Sequence, residues 1–395
     1  MPQEPVGAYR YLSLDPEYVK VRDHARRVSG AAGPLTCGCR FWLMLADLGI
    51  RKLMRRTKPE RRVVVTFVTP NQYLTSGGVY AIHQFAQHCT AWVDVNLVVE
   101  TNDPQPVPGV TTYGRNVIDQ KTLPRAHALI IAADDPDAVG LLELPFSAGQ
   151  PVLLFQGYGT PGSPTVMANL DQFERVIATA TWLVAEAACH GCDVELVRCG
   201  MDRSIFFPGP PSNERKPSIV MHTSHVDWKG SADGLKAFRI ARNELADLDA
   251  TFFGDLDPEI PDAPFLSMAS RGAIADTMRR AMILVCPSWE EGFGLPGAEA
   301  MLCGAAVATT DTKGSRDYAL HEQTALVSAP RDPVALAENI VRFSREPPLR
   351  TACVGRAQQL MSRTYADWPA SANAFVTALK RLVVADGRRP AAAKR

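Results

Sequence analysis

Apolar runs of strand length alternate with segments of helical spacing along this chain, in two separate series. The first run, RVVVTFVT at residues 62–69, is β-branched, and VYAIHQFAQHC at residues 79–89 follows it with helical spacing. Strands that are separated by helices form βαβ units, which build parallel sheets covered on both faces. The first series continues in VDVNLVVE, HALIIAA, PVLLFQ and VELVRCGMD, and the second contains SIVMHTSH, ATFFGD, ILVCPS and AAVATTD. The sequence therefore predicts an α/β protein with two parallel-sheet halves.

A stretch rich in proline and polar residues, FFPGPPSNERKP at residues 206–217, separates the two series and has the composition of a linker. A chain of 395 residues is longer than one hydrophobic core usually serves, which also favours two domains. The predicted organisation, in chain order, is an N-terminal helical extension at 1–60, a first domain at 61–208, a second domain at 209–365, a C-terminal helix at 366–385 and a disordered tail at 386–395.

The charge and cysteine content exclude some partners and favour one compartment. Lysine and arginine together number 42, as do aspartate and glutamate, so the formal net charge is zero and no overall field favours nucleic acid. The nine cysteines are scattered, and MPQEPVGAYR does not resemble a secretory signal. No apolar run is long enough to cross a bilayer. We therefore expect a cytoplasmic protein with free thiols and no nucleic-acid partner.

A basic segment at residues 40–62 leaves two interpretations open. CRFWLMLADLGIRKLMRRTKPERR is apolar first and strongly basic after. At helical spacing it could lie on an anionic membrane, which would place the protein at the inner face of the membrane. The simpler interpretation, which we favour, is a helix packed on the next domain with a solvated basic end.

The segment SWEEGFGLPGAEAMLCGAAVATTD, residues 288–311, predicts a strand–loop–helix–strand unit with a ligand site in its loop. Ligands bind at such carboxyl-end loops in open α/β sheets. The backbone N–H groups near Gly292 and Gly294 and the following helix N-terminus suit a phosphate. We expect Glu299, in the first turn of that helix, to accept both hydroxyls of a ribose, and Glu291 to accept sugar hydroxyls on the other side of a diphosphate. The alternative interpretation gives these glutamates no role in ligand binding: one caps the helix and the other is exposed to solvent.

This segment resembles the E-x7-E motif of the glycosyltransferase family 4 enzymes, which are retaining glycosyltransferases of the GT-B fold. The resemblance covers residues 62–380, and VELVRCGMDRSIFFP and WPASANAFVTALKRL add to it. It implies two Rossmann-like domains facing a central cleft, with the final helix crossing back onto the first domain. It also implies that Glu291 contacts the donor sugar, that Glu299 contacts the ribose, and that the backbone at Gly292, Phe293, Gly294 and Leu295 holds the donor.

The resemblance is weaker at the phosphate clamp, where the family usually carries an arginine and a lysine five positions apart. Lys229 matches the lysine, and Ser224 stands where the arginine is usual, so we expect both residues to bind the donor. A lone lysine still supplies a point charge for the departing phosphate, so we expect Lys229 to be catalytic together with Glu291. His222 or His225 could assist, although an ordinary loop histidine is the simpler interpretation.

In the first half, two features follow strands and could face the cleft. TSGGVYAIHQF places Gly77 and Gly78 before a helix, so we expect Gly78 near the donor and Gly77 and Tyr80 near the acceptor; a simple tight turn is the alternative. Asp134 and Asp135 end a strand and could bind acceptor hydroxyls, and Asp134 could assist catalysis, unless they only form the turn before Pro136. FQGYGTPG resembles a loop of a branch that includes bacterial rhamnosyltransferases.

The remaining motifs favour neither metal nor hydrolase chemistry. Cys189 and Cys192 form a single CxxC without a second one at zinc-finger spacing, so we read them as ordinary thiols and expect no metal site and no cofactor. The sequence has no GxxxxGKS phosphate loop, HExxH or GxSxG.

The expected activity is that of a retaining hexosyltransferase with a UDP-, GDP- or dTDP-sugar donor. The acceptor could be a glycan, a lipid-linked molecule or a small natural product, as in polysaccharide or glycoconjugate biosynthesis. Two rival functions remain, a phosphorylase or epimerase on the same fold and a non-catalytic nucleotide-sugar-binding protein. The serine at position 224 is the best support for the second rival.

Overall fold

The computed structural model describes residues 62–69, 76–101, 104–132, 140–157 and 170–384. The predicted extension at 1–60, the tail at 386–395 and nearly all of the basic segment at 40–62 lie outside these residues, so those predictions stay predictions. Within the described ranges, no helix is both long and apolar enough to cross a membrane.

The first half is built on a parallel sheet of seven strands among the described residues. Its central strands are continuous apolar runs, buried from both faces as parallel strands require. The strands are β1 Val64–Thr69, β2 Asp94–Val99, β3 Thr111–Gly114, β4 Ala128–Ala132, β5 Gln150–Phe155, β6 Arg175–Ala178 and β7 Asp193–Leu196. Their order is β3-β2-β1-β4-β5-β6-β7, so the chain reverses direction across the sheet between β1 and β4.

The second half repeats this plan with six parallel strands in the same described part of the chain. They are β8 Ser218–Thr223, β9 Asp249–Gly254, β10 Phe265–Ser267, β11 Ile283–Cys286, β12 Ala306–Thr310 and β13 Leu326–Ser328. The order β10-β9-β8-β11-β12-β13 puts the reversal between β8 and β11. The carboxyl ends of β8 and β11 therefore form a switch point, where α/β sheets bind ligands.

Helices cover both sheets. Described in chain order, they are α1 Gly77–Cys89, α2 Asn116–Asp119, α3 Thr181–Cys189, α4 Ser231–Glu244, α5 Arg271–Arg280, α6 Leu295–Leu302, α7 Pro333–Arg345, α8 Pro347–Thr364 and α9 Trp368–Leu379. Short 3₁₀ turns occur at Gly140–Glu143, Phe146–Ala148, Asp227–Lys229 and Gly314–Asp317, and a π-helical turn at Lys380–Val384 follows α9.

The helix α9 follows the second half in sequence but packs on the first. The Phe375 ring lies 4.9 Å from that of Phe85 on α1 and 5.6 Å from that of Phe67 on β1, between ring centroids. Trp368 lies 5.3 Å from Phe85 in an edge-on contact. These aromatic rings are buried, so the chain end ties the two halves into one hydrophobic core.

Candidate active site

Two loops meet at the switch point of the second sheet, one after β8 and one after β11. The first ends in the 3₁₀ turn at Asp227–Lys229, and Gly230 follows it in the left-handed conformation, with φ of 65°. A Cβ at Gly230 would lie 2.1 Å from the carbonyl oxygen of Pro287, which leads into the second loop. Glycine therefore lets the two loops approach closely enough for Lys229 to reach across.

Lys229 and Glu291 form a bidentate ion pair at this junction. The Lys229 Nζ lies 2.8 Å from Glu291 Oε1 and 2.9 Å from Oε2. The Ser288 hydroxyl donates to Oε1 over 2.8 Å. Both charged side chains are partly buried, at 28% exposure for Lys229 and 19% for Glu291. The sequence predicted both residues at one site, and the structure brings them into direct contact.

The loop between Glu291 and α6 presents an anion-binding geometry. Gly294 is left-handed, with φ of 82°, and α6 begins at Leu295 with Pro296 in its first turn. Within the part of the chain that the structure describes, the backbone N–H groups of Phe293, Gly294 and Leu295 donate to no protein acceptor. Free N–H groups at a helix N-terminus, together with the helix dipole, attract a phosphate.

Glu299 lies deeper in α6 than the sequence suggested. The helix starts at Leu295 and its first turn holds no acidic residue, so the prediction of a first-turn glutamate was wrong: Glu299 is the fifth residue and begins the second turn. Its side chain is 5% exposed and forms an ion pair with Arg271, the first residue of α5. Burial raises the pKa of Glu299, and the Arg271 charge and hydrogen bond act in the opposite direction.

Arg271 is a site residue that the sequence analysis missed. Its guanidinium carbon lies 4.0 Å from the ring centroid of Tyr80 on α1 and 4.9 Å from that of Phe206. Because Tyr80 belongs to the first half, Arg271 joins the two halves beside Glu299. The sequence offered one signal for this residue, an arginine directly after a helix-capping serine. A cation at a helix N-terminus is locally disfavoured, which indicates a role outside the helix.

The backbone and the hydroxyl of Ser224 form hydrogen bonds to nearby residues of the same loop and the start of α4. Its backbone N–H donates to the hydroxyl of Ser231 over 2.9 Å, and the Ser231 hydroxyl donates back to the Ser224 carbonyl over 3.0 Å. Its hydroxyl accepts from the N–H of Val226 over 3.2 Å. The serine therefore stabilises the turn that carries Lys229, and no positive charge replaces the usual arginine at this position.

His222 lies near the end of β8, beside the ion pair, and is uncharged at neutral pH. Burial, and then the positive charge of Lys229, lower its pKa to about 4. Its ring lies 5.3 Å from that of Phe253 on β9, between centroids. His225 is exposed on the following loop. An uncharged His222 supplies no cation for a phosphate.

The first half contributes a glycine pair and two further residues at the same loop. A Cβ at Gly77 would lie 3.5 Å from Leu295 Cδ1, so the start of α1 faces the start of α6. The side-chain Nε2 of Gln156 donates to the Gly78 carbonyl over 3.3 Å. The backbone carbonyl oxygen of Gln156 lies against Gly292. Trp182 Nε1 donates to the Gly292 carbonyl over 2.7 Å. Gln156 and Trp182 were not predicted from the sequence.

Other predicted residues are not placed by the structure. Asp134 and Asp135 lie outside the described residues, as does the loop at 158–169 that follows Gly157. Their proposed roles toward the acceptor stay predictions. No cluster of histidine, cysteine, aspartate or glutamate that could hold a metal ion occurs among the residues that the structure does describe.

Comparison with known proteins points to the same half of the chain. Residues 202–360 match the family model "Glycosyl transferases group 1". The matched range contains Lys229, Arg271, Glu291 and Glu299.

Two curated relatives are both named D-inositol 3-phosphate glycosyltransferase. The one from Frankia alni is 34% identical over 228 residues, which cover 47% of this chain and 56% of the relative. The one from Pseudarthrobacter chlorophenolicus is 27% identical over 186 residues, which cover 40% of this chain and 44% of the relative. The chain thus spans about half the length of the curated relatives it matches.

Solved structures establish the fold. Anabaena HepE, in complex with UDP and glucose, superposes with a TM-score of 0.67 at 14% identity, covering 81% of this chain and all of that one. Sucrose-phosphate synthase from Thermosynechococcus elongatus gives 0.66 at 18% identity, covering 82% of this chain and all of that one. The two parallel-sheet, Rossmann-like halves are therefore arranged in the GT-B fold, as predicted.

Proposed function

We propose that this protein is a retaining glycosyltransferase that moves a hexose from a nucleoside diphosphate sugar to an acceptor hydroxyl. The observation that carries the proposal is the Lys229–Glu291 ion pair beside the free N–H groups at the start of α6. A cation and a helix N-terminus suit a diphosphate, and an adjacent carboxylate suits sugar hydroxyls. The names of the curated relatives support glycosyl transfer, and the UDP and glucose bound to HepE support this class of donor.

In the proposed complex, the diphosphate lies on the N–H groups of Phe293, Gly294 and Leu295. Lys229 turns from Glu291 to the phosphate that will leave, and Glu291 then accepts hydrogen bonds from the hexose. Both side chains of the ion pair are partly buried, so leaving either one without a partner would be unfavourable. The donor avoids this, because its phosphate pairs with Lys229 and its hexose hydroxyls donate to Glu291. The pair therefore holds the site in order until the donor replaces it.

The chemical step exchanges one bond for another at the anomeric carbon. The acceptor oxygen bonds to this carbon as the bond to the diphosphate breaks, on the same face of the sugar. The acceptor proton passes to the departing phosphate oxygen. Lys229 and the loop N–H groups stabilise the charge that grows on the leaving group, and this electrostatic stabilisation is the main catalytic contribution.

Replacing Lys229 by methionine tests the leaving-group role. Removing one preorganised donor to a developing charge lowers kcat by about 10²–10³-fold. We expect Lys229→Met to show a loss of this size in steady-state assays with the donor sugar, and Lys229→Arg to keep part of the activity. Lys236→Met, on the exposed face of α4, is the matched control. Equal rates for Lys229→Met and Lys236→Met would exclude Lys229 from the chemical step.

The rival, a nucleotide-sugar-binding protein without activity, has Ser224 as its support, because the structure shows no arginine charge there. Release of nucleoside diphosphate from the donor by pure protein would exclude this rival. Dependence of sugar release on inorganic phosphate would instead indicate a phosphorylase, and isomerised donor would indicate an epimerase. Glycan, lipid-linked and natural-product acceptors are distinguished by the products formed in the same assay.

A further inference from the structure

The ion pair between Arg271 and Glu299 is not explained by local helix preferences. Arg271 is the first residue of α5, and the hydroxyl of Ser270 caps this helix by accepting from the N–H of Ala273 over 3.2 Å. A positive side chain at a helix N-terminus is opposed by the helix dipole. Contacts outside α5 must therefore explain why an arginine occupies position 271.

Three segments define where the Arg271 side chain lies. Its guanidinium packs against the rings of Tyr80 on α1 and Phe206 in the linker. Tyr80 in turn makes an edge-on contact with Trp368 of α9, at 5.8 Å between centroids. The Arg271 Nε is buried and has no acceptor within the described part of the chain, so this guanidinium has spare donor capacity. The arginine is held by packing and directed at Glu299.

Arg271 favours the charged form of Glu299, with which it forms an ion pair. Its carboxyl group is almost fully buried, and burial raises its pKa because the charged form loses its hydration. The titratable groups that face it are Arg271 from α5, Tyr80 from α1, Asp202 and Cys199 from the segment after β7, Cys303 after α6, and Tyr318. Arg271 is the one cation in that set of described residues. A carboxylate accepts from two hydroxyls at once, whereas a protonated carboxyl group has lost part of that capacity.

We propose that Arg271 is a positioning residue for the donor, which keeps Glu299 charged and oriented to accept the two ribose hydroxyls. This inference rests on the proposed function. It predicts a donor with a ribose rather than a 2′-deoxyribose, which narrows the expected donors to UDP- and GDP-sugars. Because Arg271 also packs on Tyr80 of the first half, the ribose-binding part of the site is complete only when the first half lies against the second.

Nucleotide binding by Arg271→Met tests the proposal. Affinities for UDP and 2′-deoxy-UDP, and for GDP and 2′-deoxy-GDP, are measured by calorimetry between pH 6 and 8. We expect the wild type to prefer one ribonucleotide over its deoxy analogue by tenfold or more, since one hydrogen bond to a charged group changes affinity by roughly 10–100-fold. In Arg271→Met this preference falls towards one. Its affinity for the ribonucleotide also weakens as the pH falls from 8 to 6, because Glu299 without its cation takes up a proton at a higher pH.

Two further variants keep the test decisive if Arg271→Met does not fold. Arg271→Lys retains the positive charge and is expected to keep the pH profile of the wild type. Glu299→Gln resembles the protonated glutamate, so it is expected to lose the ribose preference at every pH. A ribose preference that persists in Arg271→Met or in Glu299→Gln overturns the inference but leaves the proposed function standing. A wild type that binds none of these nucleotides and turns over no donor overturns the proposed function itself.

Discussion

Replacing Glu291 by alanine is expected to abolish sugar transfer while the protein stays folded. In the proposed complex this carboxylate holds the hexose, and without donor it holds Lys229 and accepts from Ser288. Its loss removes the sugar contact and leaves a partly buried lysine without its partner. Losses of about 10³-fold or more are typical when a group that both binds and orients the reacting sugar is removed. The measurement is kcat/KM for the donor, with the far-ultraviolet circular dichroism spectrum as the check on folding.

Two variants control this experiment. Glu291→Gln keeps the shape and removes the charge, so it is expected to lose most of the activity as well. Glu322→Ala removes an exposed glutamate that pairs with Arg342 on α7, and its activity is expected to equal that of the wild type. Near-normal activity in a folded Glu291→Ala protein would contradict the assignment of this loop to the donor sugar.

Replacing Gly292 by alanine is expected to force the two halves apart at the site. A Cβ at this position would lie 1.5 Å from the carbonyl oxygen of Gln156, a backbone atom that cannot turn aside. The displacement would also break the hydrogen bond from Trp182 Nε1 to the Gly292 carbonyl. Overpacking of this kind costs about 1–3 kcal/mol. We expect a lower thermal midpoint and a loss of activity of about 10²-fold, because a misplacement near 1 Å at an active site has that effect.

Gly355→Ala is the matched control for this variant. Gly355 lies within α8, and a Cβ there would have no atom within 4 Å. Alanine in a helix is more stable than glycine by about 1 kcal/mol, so this variant should unfold at the same temperature as the wild type or slightly above it. Equal thermal midpoints and equal activities for Gly292→Ala and Gly355→Ala would show that the contact between Gly292 and Gln156 is not needed.

The sequence was sufficient for the features that local pattern determines. Buried parallel strands such as β1 and β11 are continuous apolar runs, and their alternation with helices predicted two parallel sheets. Glu291 and Lys229 were predicted at one site because each matches a donor-site position of the family that the sequence resembles. The strand order gives the physical reason, since both residues follow strands that end at the same switch point. The short strands β3 and β10 were not predicted, since four and three residues carry too little periodicity.

The features that the sequence did not predict depend on contacts between distant parts of the chain. Arg271 lies near Tyr80 because α5 and α1 meet across the two halves, and no spacing in the sequence gives that distance. Gln156 was seen only as part of a loop, although its backbone is the surface on which Gly292 rests. The turn of α6 that holds Glu299 was misjudged because the helix begins at Leu295, directly after left-handed Gly294, and not at Pro296.

The most direct test of the account is the release of nucleoside diphosphate from a panel of UDP-, GDP- and dTDP-sugars by the pure protein. Hydrolysis to water without an acceptor is the slow form of the same reaction, so no knowledge of the acceptor is needed. We predict that at least one UDP- or GDP-hexose releases its nucleotide and that the freed sugar first appears with the anomeric configuration of the donor. We also predict that Lys229→Met releases the nucleotide about 10²–10³-fold more slowly and that Glu291→Ala releases none. Binding of nucleotide sugars without release by the wild type, or equal release by the wild type and both variants, would contradict the account.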